Sequence, residues 1–138
     1  MRTKTFLAAV MLLFFFATSN AQQANKKASS LNGAWESDDK KEFTMIYDGY
    51  FNSLDQDSTG RWAVVHAGTY TLNGDNTITF KVLYSSDPEH IGSLNTAEYS
   101  LNGETMKIHH FKKLVNAEGK DITDQAPRAF TETMTRMK

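Results

Sequence analysis

The 138-residue sequence contains no cysteine. This absence excludes a disulfide framework, and it also excludes a lipid-modified cysteine at a signal-peptide cleavage site. Basic patches are lacking as well, because Lys40-Lys41 and Lys112-Lys113 are isolated pairs rather than the extended basic surface of a nucleic-acid-binding protein. We therefore expect no lipid anchor and no nucleic-acid partner, and a fold that is stabilised by its core alone.

The sequence also lacks an apolar run long enough to cross a bilayer. Its longest one, from Phe6 to Ala17, is about 12 residues long, whereas a spanning helix needs about 20. Arg2 and Lys4 precede this run and small, polar residues follow it up to Ala21, which is the pattern of a signal peptide. The sequence therefore predicts a signal peptide over residues 1–21, and a periplasmic or secreted protein that is not integral to a membrane.

Removal of residues 1–21 would leave 117 residues, enough for one domain. Of the 15 basic residues two would be lost with that segment, so 13 would face 16 acidic ones, a formal charge of −3. Residues 22–30 are polar and show no periodicity, which predicts a flexible leader. The predicted domain covers residues 31–138. The sequence leaves open whether the protein forms a homodimer.

No stretch of ten or more residues beyond the leader shows a helical period. Turn signals such as Asp48-Gly49 and Asn102-Gly103 instead recur at short intervals between segments of strand length. Evenly spaced antiparallel strands without a long helix are typical of a sandwich or a closed barrel. Spacing alone leaves both open. From the spacing together with the pairing of the first and last strands described below, we predict an all-β fold, an antiparallel barrel of about eight to ten strands with little or no helix.

Strand alternation assigns side chains to the two faces of the sheet. It directs Phe80 and Tyr84 inward on one strand and His110 inward on another, and it leaves Phe111 exposed. The phase around Asp48-Gly49 is open, because this pair fits either a two-residue hairpin turn or a bend inside one long strand. We favour the bent strand.

Two residues bracket the predicted strands, Trp35 in a Gly-x-Trp sequence near the start and Arg136 near the end. An indole face attracts a guanidinium that is stacked on it, so this pair would clamp the first strand to the last where the sheet closes. We predict that Trp35 and Arg136 close one end of the barrel. A ligand carboxylate in the cavity is the alternative partner for Arg136.

Several segments, in this order and spacing, carry a family resemblance. They are Leu31-x-Gly33-x-Trp35, Tyr47 to Phe51, Ala67 to Thr71, Val82 to Ser86 followed by Gly92, Tyr99 to Gly103, and Thr135-Arg136. Together they resemble the exported lipocalin-like (calycin) domains of unknown function from Bacteroidetes. The resemblance implies a small barrel with a central cavity, and it implies no reaction. The chain departs from the usual family ending, because Met134 stands where an aromatic residue commonly precedes the arginine.

A barrel of this size holds either side chains or one small ligand. Aromatic, methionine and histidine side chains dominate the set that we predict to face the cavity, and we take them as candidate ligand-binding residues: Trp35, Trp62, His66, Tyr70, Phe80, Tyr84, Tyr99, Met106, His110 and Met134. The sequence favours a binding protein for a small apolar or amphipathic molecule. A filled barrel with a structural or interaction role stays open.

Catalytic signatures are lacking in the sequence. It has no nucleophile motif and no glycine-rich phosphate loop, and no third ligand at a recognisable spacing completes a metal site around His66 and His110. We expect no catalytic residue, metal or cofactor, although an enzyme that uses His66, His110 or Glu132 in the cavity is the least favoured alternative. His90 is expected in a solvated loop that caps the barrel mouth.

Overall fold

Eight antiparallel strands form a closed barrel in the computed structural model, which describes residues 30–138 except Asp75 and Arg128. In chain order the strands are β1 (Gly33–Ser37), β2 (Glu42–Tyr47), β3 (Tyr50–Gln56), β4 (Trp62–Leu72), β5 (Thr77–Ser85), β6 (Leu94–Asn102), β7 (Thr105–Val115) and β8 (Glu132–Arg136). Each strand pairs with the next, and β8 pairs with β1 to complete the cylinder. The prediction of an all-β antiparallel barrel is confirmed.

Beyond Leu31, helix is confined, among the described residues, to two 3₁₀ turns of three residues each, Pro88–His90 and Thr123–Gln125. No helix in this part of the chain is long and apolar enough to span a membrane. The predicted signal peptide, residues 1–21, and all but the last residue of the predicted leader, residues 22–30, lie outside the described residues.

The connections differ between the two ends of the barrel. Because consecutive strands are antiparallel, the β2–β3, β4–β5 and β6–β7 connections share one end, and these are short. The other connections, residues 38–41, 57–61, 86–93 and 116–131, share the opposite end. We call the first the closed end and the second the open end.

Asp48 and Gly49 form a two-residue hairpin turn between β2 and β3, so the bent strand that we favoured is wrong. Tyr47 pairs directly with Tyr50 across the turn, and both central residues have positive φ, 48° and 84°. A tight turn with two positive φ values matches the twist of the flanking strands. In consequence Phe51 is buried and Tyr50 is exposed.

Register shifts occur at four places between the strands, and three predicted cavity residues lie outside as a result. Val65 of β4 is an extra residue opposite β3, so Trp62 lies outside and is 45% exposed. Leu83 of β5 is an extra residue opposite β4, so Tyr84 also lies outside and is 51% exposed. Each extra residue reverses the side to which the following side chains point.

The other two shifts lie in β7, where Lys112 is an extra residue opposite β6 and where His109 and His110 together oppose one residue of β6. Phe111 therefore faces the interior, and the prediction that it is exposed is wrong. His110 lies on the outer surface, where its Nε2 is 3.6 Å from the Glu98 carboxylate. The prediction that His110 faces the cavity is wrong for the same reason.

Apolar side chains from all strands fill the closed half of the barrel. The buried members are Leu31, Trp35, Ile46, Phe51, Tyr70, Ile78, Val82, Ala97, Tyr99, Met106, Ile108 and Met134. Phe80, Phe111 and Phe130 pack against this cluster while partly exposed. The core is therefore dense at one end and leaves space toward the other.

Candidate ligand-binding cavity

The closed end contains the predicted pair of Trp35 and Arg136. These residues are direct neighbours across the β1–β8 seam, and the guanidinium carbon of Arg136 lies 4.2 Å from the centre of the fully buried indole. The indole Nε1 donates a hydrogen bond to the Leu31 carbonyl at 2.9 Å. The stacking that we predicted is present, and it joins the first strand to the last at the closed end.

Arg136 makes two further contacts at the closed end. Its Nη1 donates to the Asn32 carbonyl, and its Nε lies 3.5 Å from the Glu104 carboxylate. Gly33 makes room for this arrangement, because a Cβ there would collide with the guanidinium. Arg136 therefore stabilises the pairing of β1 with β8, and it is not among the residues that line the cavity.

A cavity of about 280 Å³ lies inside the barrel. Its deep part is apolar, and its outer part carries carboxyl, hydroxyl, amide and imidazole groups. The lining consists of Glu42, Thr44, Ile46, Phe51, Ser53, Asp55, Val65, His66, Phe80, Val82, Asn95, Met106, Ile108, Phe111, Phe130, Glu132 and Met134. Ligand pockets typically measure about 300–1,000 Å³, so this one suits a small molecule.

Four of the ten predicted cavity residues line this space, namely His66, Phe80, Met106 and Met134. Trp35, Tyr70 and Tyr99 are buried in the core but do not reach the cavity. Trp62, Tyr84 and His110 lie outside the barrel for the reasons given above. The structure therefore does not bring His66 and His110 together.

The lining that the sequence analysis missed comes mainly from β2 and β3. Glu42, Thr44 and Ile46 share one parity on β2, and Ser53 and Asp55 share the parity of Phe51 on β3. A hairpin at Asp48-Gly49 would have revealed both sets by alternation alone. Phe130 had no local signal, because its ring is placed by stacking on Phe111, with centroids 4.9 Å apart.

Three carboxyl groups from three strands meet at the outer part of the cavity: Glu42 on β2, Asp55 on β3 and Glu132 on β8. Burial raises the pKa of Glu42 to about 9, helped by a hydrogen bond with Glu132 and by the negative charges of Glu132 and Asp55. At neutral pH the Glu42–Glu132 pair therefore retains a proton. Glu132 contacts Glu42, whereas Glu104 pairs with Arg136.

Two histidines meet at the open end of the cavity. The His66 Nε2 lies 3.3 Å from the His90 Nδ1, and the rings stack with centroids 5.5 Å apart. His90 belongs to the connection between β5 and β6, so this contact attaches that connection to the cavity wall. Burial lowers the pKa of His66, and the neighbouring His90 lowers it further.

A wider recess of about 610 Å³ adjoins the cavity at the open end. The two spaces share Glu42, Asp55, Phe130 and Glu132, so the carboxyl groups stand where one passes into the other. Lys41 lines the recess and is the only lysine or arginine among the described residues that line either space. The entrance is therefore acidic.

Metal-binding geometry is not found in the described part of the chain, where no group of three or more histidine, cysteine, aspartate or glutamate side chains is arranged to hold an ion. In comparisons by sequence, no family model and no curated protein matches this chain. The site's own geometry is therefore the basis for inferring a function.

Proposed function

We propose that this protein binds a small apolar or amphipathic molecule inside the barrel. The observation that carries the proposal is the cavity of about 280 Å³, which has an apolar interior and a polar entrance. Concave, mostly apolar sites with a few polar groups are typical of small-molecule binding. A barrel whose interior is filled by its own side chains would leave no such space.

Direct titration tests the proposal. N-phenyl-1-naphthylamine, a fluorescent apolar probe, should bind with a one-to-one stoichiometry and with a blue-shifted, enhanced emission. Val65→Phe should abolish or strongly weaken this binding, because Val65 lines the cavity. Val64→Phe is the matched control, since the neighbouring valine does not line it. Equal binding by both variants, or no binding by the parent protein, would contradict the proposal.

We further propose that the chain is an exported lipocalin-like protein of the periplasm or the extracellular space. The support is the signal-peptide pattern of residues 1–21 together with a closed barrel that is clamped by Trp35 and Arg136. Intact mass measurement of the protein recovered from its source should give a chain that begins at Gln22. Native mass spectrometry of the same sample should reveal a co-purifying small molecule.

A further inference from the structure

We propose that the ligand is an amphipathic amine, whose apolar part occupies the deep cavity while its ammonium group binds at the carboxyl cluster of Glu42, Asp55 and Glu132. On binding, the ammonium group takes the place of the proton that Glu42 and Glu132 share. This inference rests on the proposed function and specifies the chemistry of the molecule bound. It follows from how the polar and apolar groups divide along the cavity.

The deep part of the cavity offers only apolar surface. Ile46, Val82, Met106 and Met134 line it, and all four side chains are almost fully buried. Methionine side chains adapt to irregular shapes, so this part suits a chain or ring without polar atoms. A polar headgroup placed there would lose its hydrogen bonds to water without replacement.

The outer part offers hydrogen-bond acceptors with negative charge. Glu42, Asp55 and Glu132 converge there from three different strands, so the cluster is built by the barrel and not by one local turn. Thr44 and Ser53 bond to each other at 2.7 Å just inside it. An ammonium group has three donors and no acceptor, which matches a cluster of carboxyl oxygens.

Charge favours the same headgroup. Two carboxylates in contact cannot both ionise cheaply in a partly buried site, and the pair keeps a proton instead. A ligand ammonium can take that proton's place, because it donates to the same oxygens and carries the same single positive charge, so the net charge of the pair is unchanged. A ligand carboxylate at this position would instead face Glu42, Asp55 and Glu132 with like charge.

The charged and titratable groups around Glu42 set the direction of the proton exchange. Asp55 on β3, Glu132 on β8 and Asp39 in the β1–β2 connection all act with negative charge on Glu42, and Lys41 lines the adjoining recess. His66 on β4 lines the cavity. Binding of an ammonium should therefore ionise the Glu42–Glu132 pair completely and release its proton to the buffer.

Three probes of equal chain length test the inference, namely n-octylammonium, n-octanol and n-octanoate at pH 7.5. We expect n-octylammonium to bind about tenfold more tightly than n-octanol, and n-octanoate to bind most weakly. Binding of n-octanol with no preference for the amine would overturn the amine inference and leave the proposed function standing. If none of the three binds, the proposed function itself fails.

Substitutions in the carboxyl cluster test which side chains produce the preference for the amine. Glu132→Gln and Asp55→Asn should each reduce the preference for n-octylammonium over n-octanol by severalfold while n-octanol binding is retained, which also shows that the variant is folded. Glu98→Gln is the control, since Glu98 lies on the outer surface beside His110 and Lys112. A preference that survives both cavity substitutions would overturn the proposal.

Calorimetry tests the replacement of the proton directly. Titration of n-octylammonium in two buffers of different ionisation enthalpy should give binding enthalpies that differ by an amount equivalent to about one released proton per site. n-Octanol should give equal enthalpies in both buffers. Equal enthalpies for n-octylammonium would show that the shared proton stays in place, and would overturn the proposal.

Discussion

Phe130, which precedes β8, stacks its ring on that of Phe111 at an interplanar angle of 27°. Both rings line the cavity, and Phe130 also lines the outer recess. The long β7–β8 connection is thus attached to the barrel where the two spaces meet. The pair therefore forms part of the entrance that a ligand must pass.

Phe130→Ala tests this role. Loss of the ring should widen the entrance and speed dissociation of a bound fluorescent probe, and it should lower the free energy of unfolding by about 1–2 kcal/mol because the ring is only partly buried. Stopped-flow displacement and urea unfolding measure the two effects. Phe130→Leu, which retains apolar bulk, should show much smaller changes, and equal dissociation rates for all three proteins would contradict the assignment.

Arg136→Leu should destabilise the barrel. The substitution removes the stacking on Trp35 and leaves the Asn32 carbonyl without its guanidinium donor, so we expect a loss of about 2–3 kcal/mol in the free energy of unfolding. Urea denaturation provides the measurement. Arg61→Leu is the control, because Arg61 is highly exposed and forms only a surface ion pair with Asp57. Similar losses in both variants would refute the closing role of Arg136.

Gly68→Ala should be poorly tolerated. A Cβ at this position would collide with the backbone carbonyl of Lys81 on β5, next to the bulge at Leu83. We expect a loss of more than about 2 kcal/mol, since backbone must shift to relieve the clash. Gly103→Ala meets no atom within 4 Å and should cost only about 1 kcal/mol, through its positive φ. Thermal unfolding of both variants would separate these effects.

Glu42→Gln should stabilise the protein at alkaline pH. The pKa of Glu42 is raised from 4.5 to about 9 on folding, so Glu42 favours the folded state at low pH and opposes it progressively as the pH rises from 4.5 to 9. The variant should therefore match the parent near pH 4 and exceed its stability by about 2 kcal/mol near pH 8. Urea midpoints at several pH values measure this, and a parallel pH dependence in the variant would count against the shared proton.

His66 makes the stability of the protein depend on pH in the opposite direction to Glu42. Its pKa is lowered on folding, so the unfolded chain binds the proton more readily and stability falls as the pH drops below about 6.5. His90→Ala removes the neighbouring positive charge and should raise the pKa of His66 toward its ordinary value. An NMR titration of the imidazole signals would measure the change, and an unaltered His66 pKa would contradict the coupling.

Alternation and turn spacing in the sequence were sufficient to predict an antiparallel all-β fold and the side chains that lie far from a bulge. Phe80, Met106 and Met134 face the cavity as the pattern requires, and the Trp35–Arg136 pair follows from the first and last strands. These predictions depend only on strand parity and on closure of the sheet. The conformation of the loops does not affect them.

Trp62, Tyr84 and His110 were misplaced because an extra residue in a strand leaves no clear trace in composition. Val65 and Leu83 are ordinary strand residues, and their bulges are defined only by the partner strand. The carboxyl cluster was missed for a related reason, since Glu42, Asp55 and Glu132 come together only through pairing across the closed sheet. Such information is tertiary and cannot be obtained from one strand at a time.

The β1–β8 seam also constrains the order in which the molecule can assemble. Strand β1, which contains Trp35, gains its second neighbour only when it pairs with β8, which contains Arg136 about a hundred residues later in the chain. The hairpins pair residues that are close in sequence and can form early, whereas the indole has no guanidinium cover until the last strand joins the sheet. Closure of the barrel is therefore a late folding step that depends on contacts distant in sequence. Before it, β1 has an unpaired edge to which a chaperone or another chain could bind.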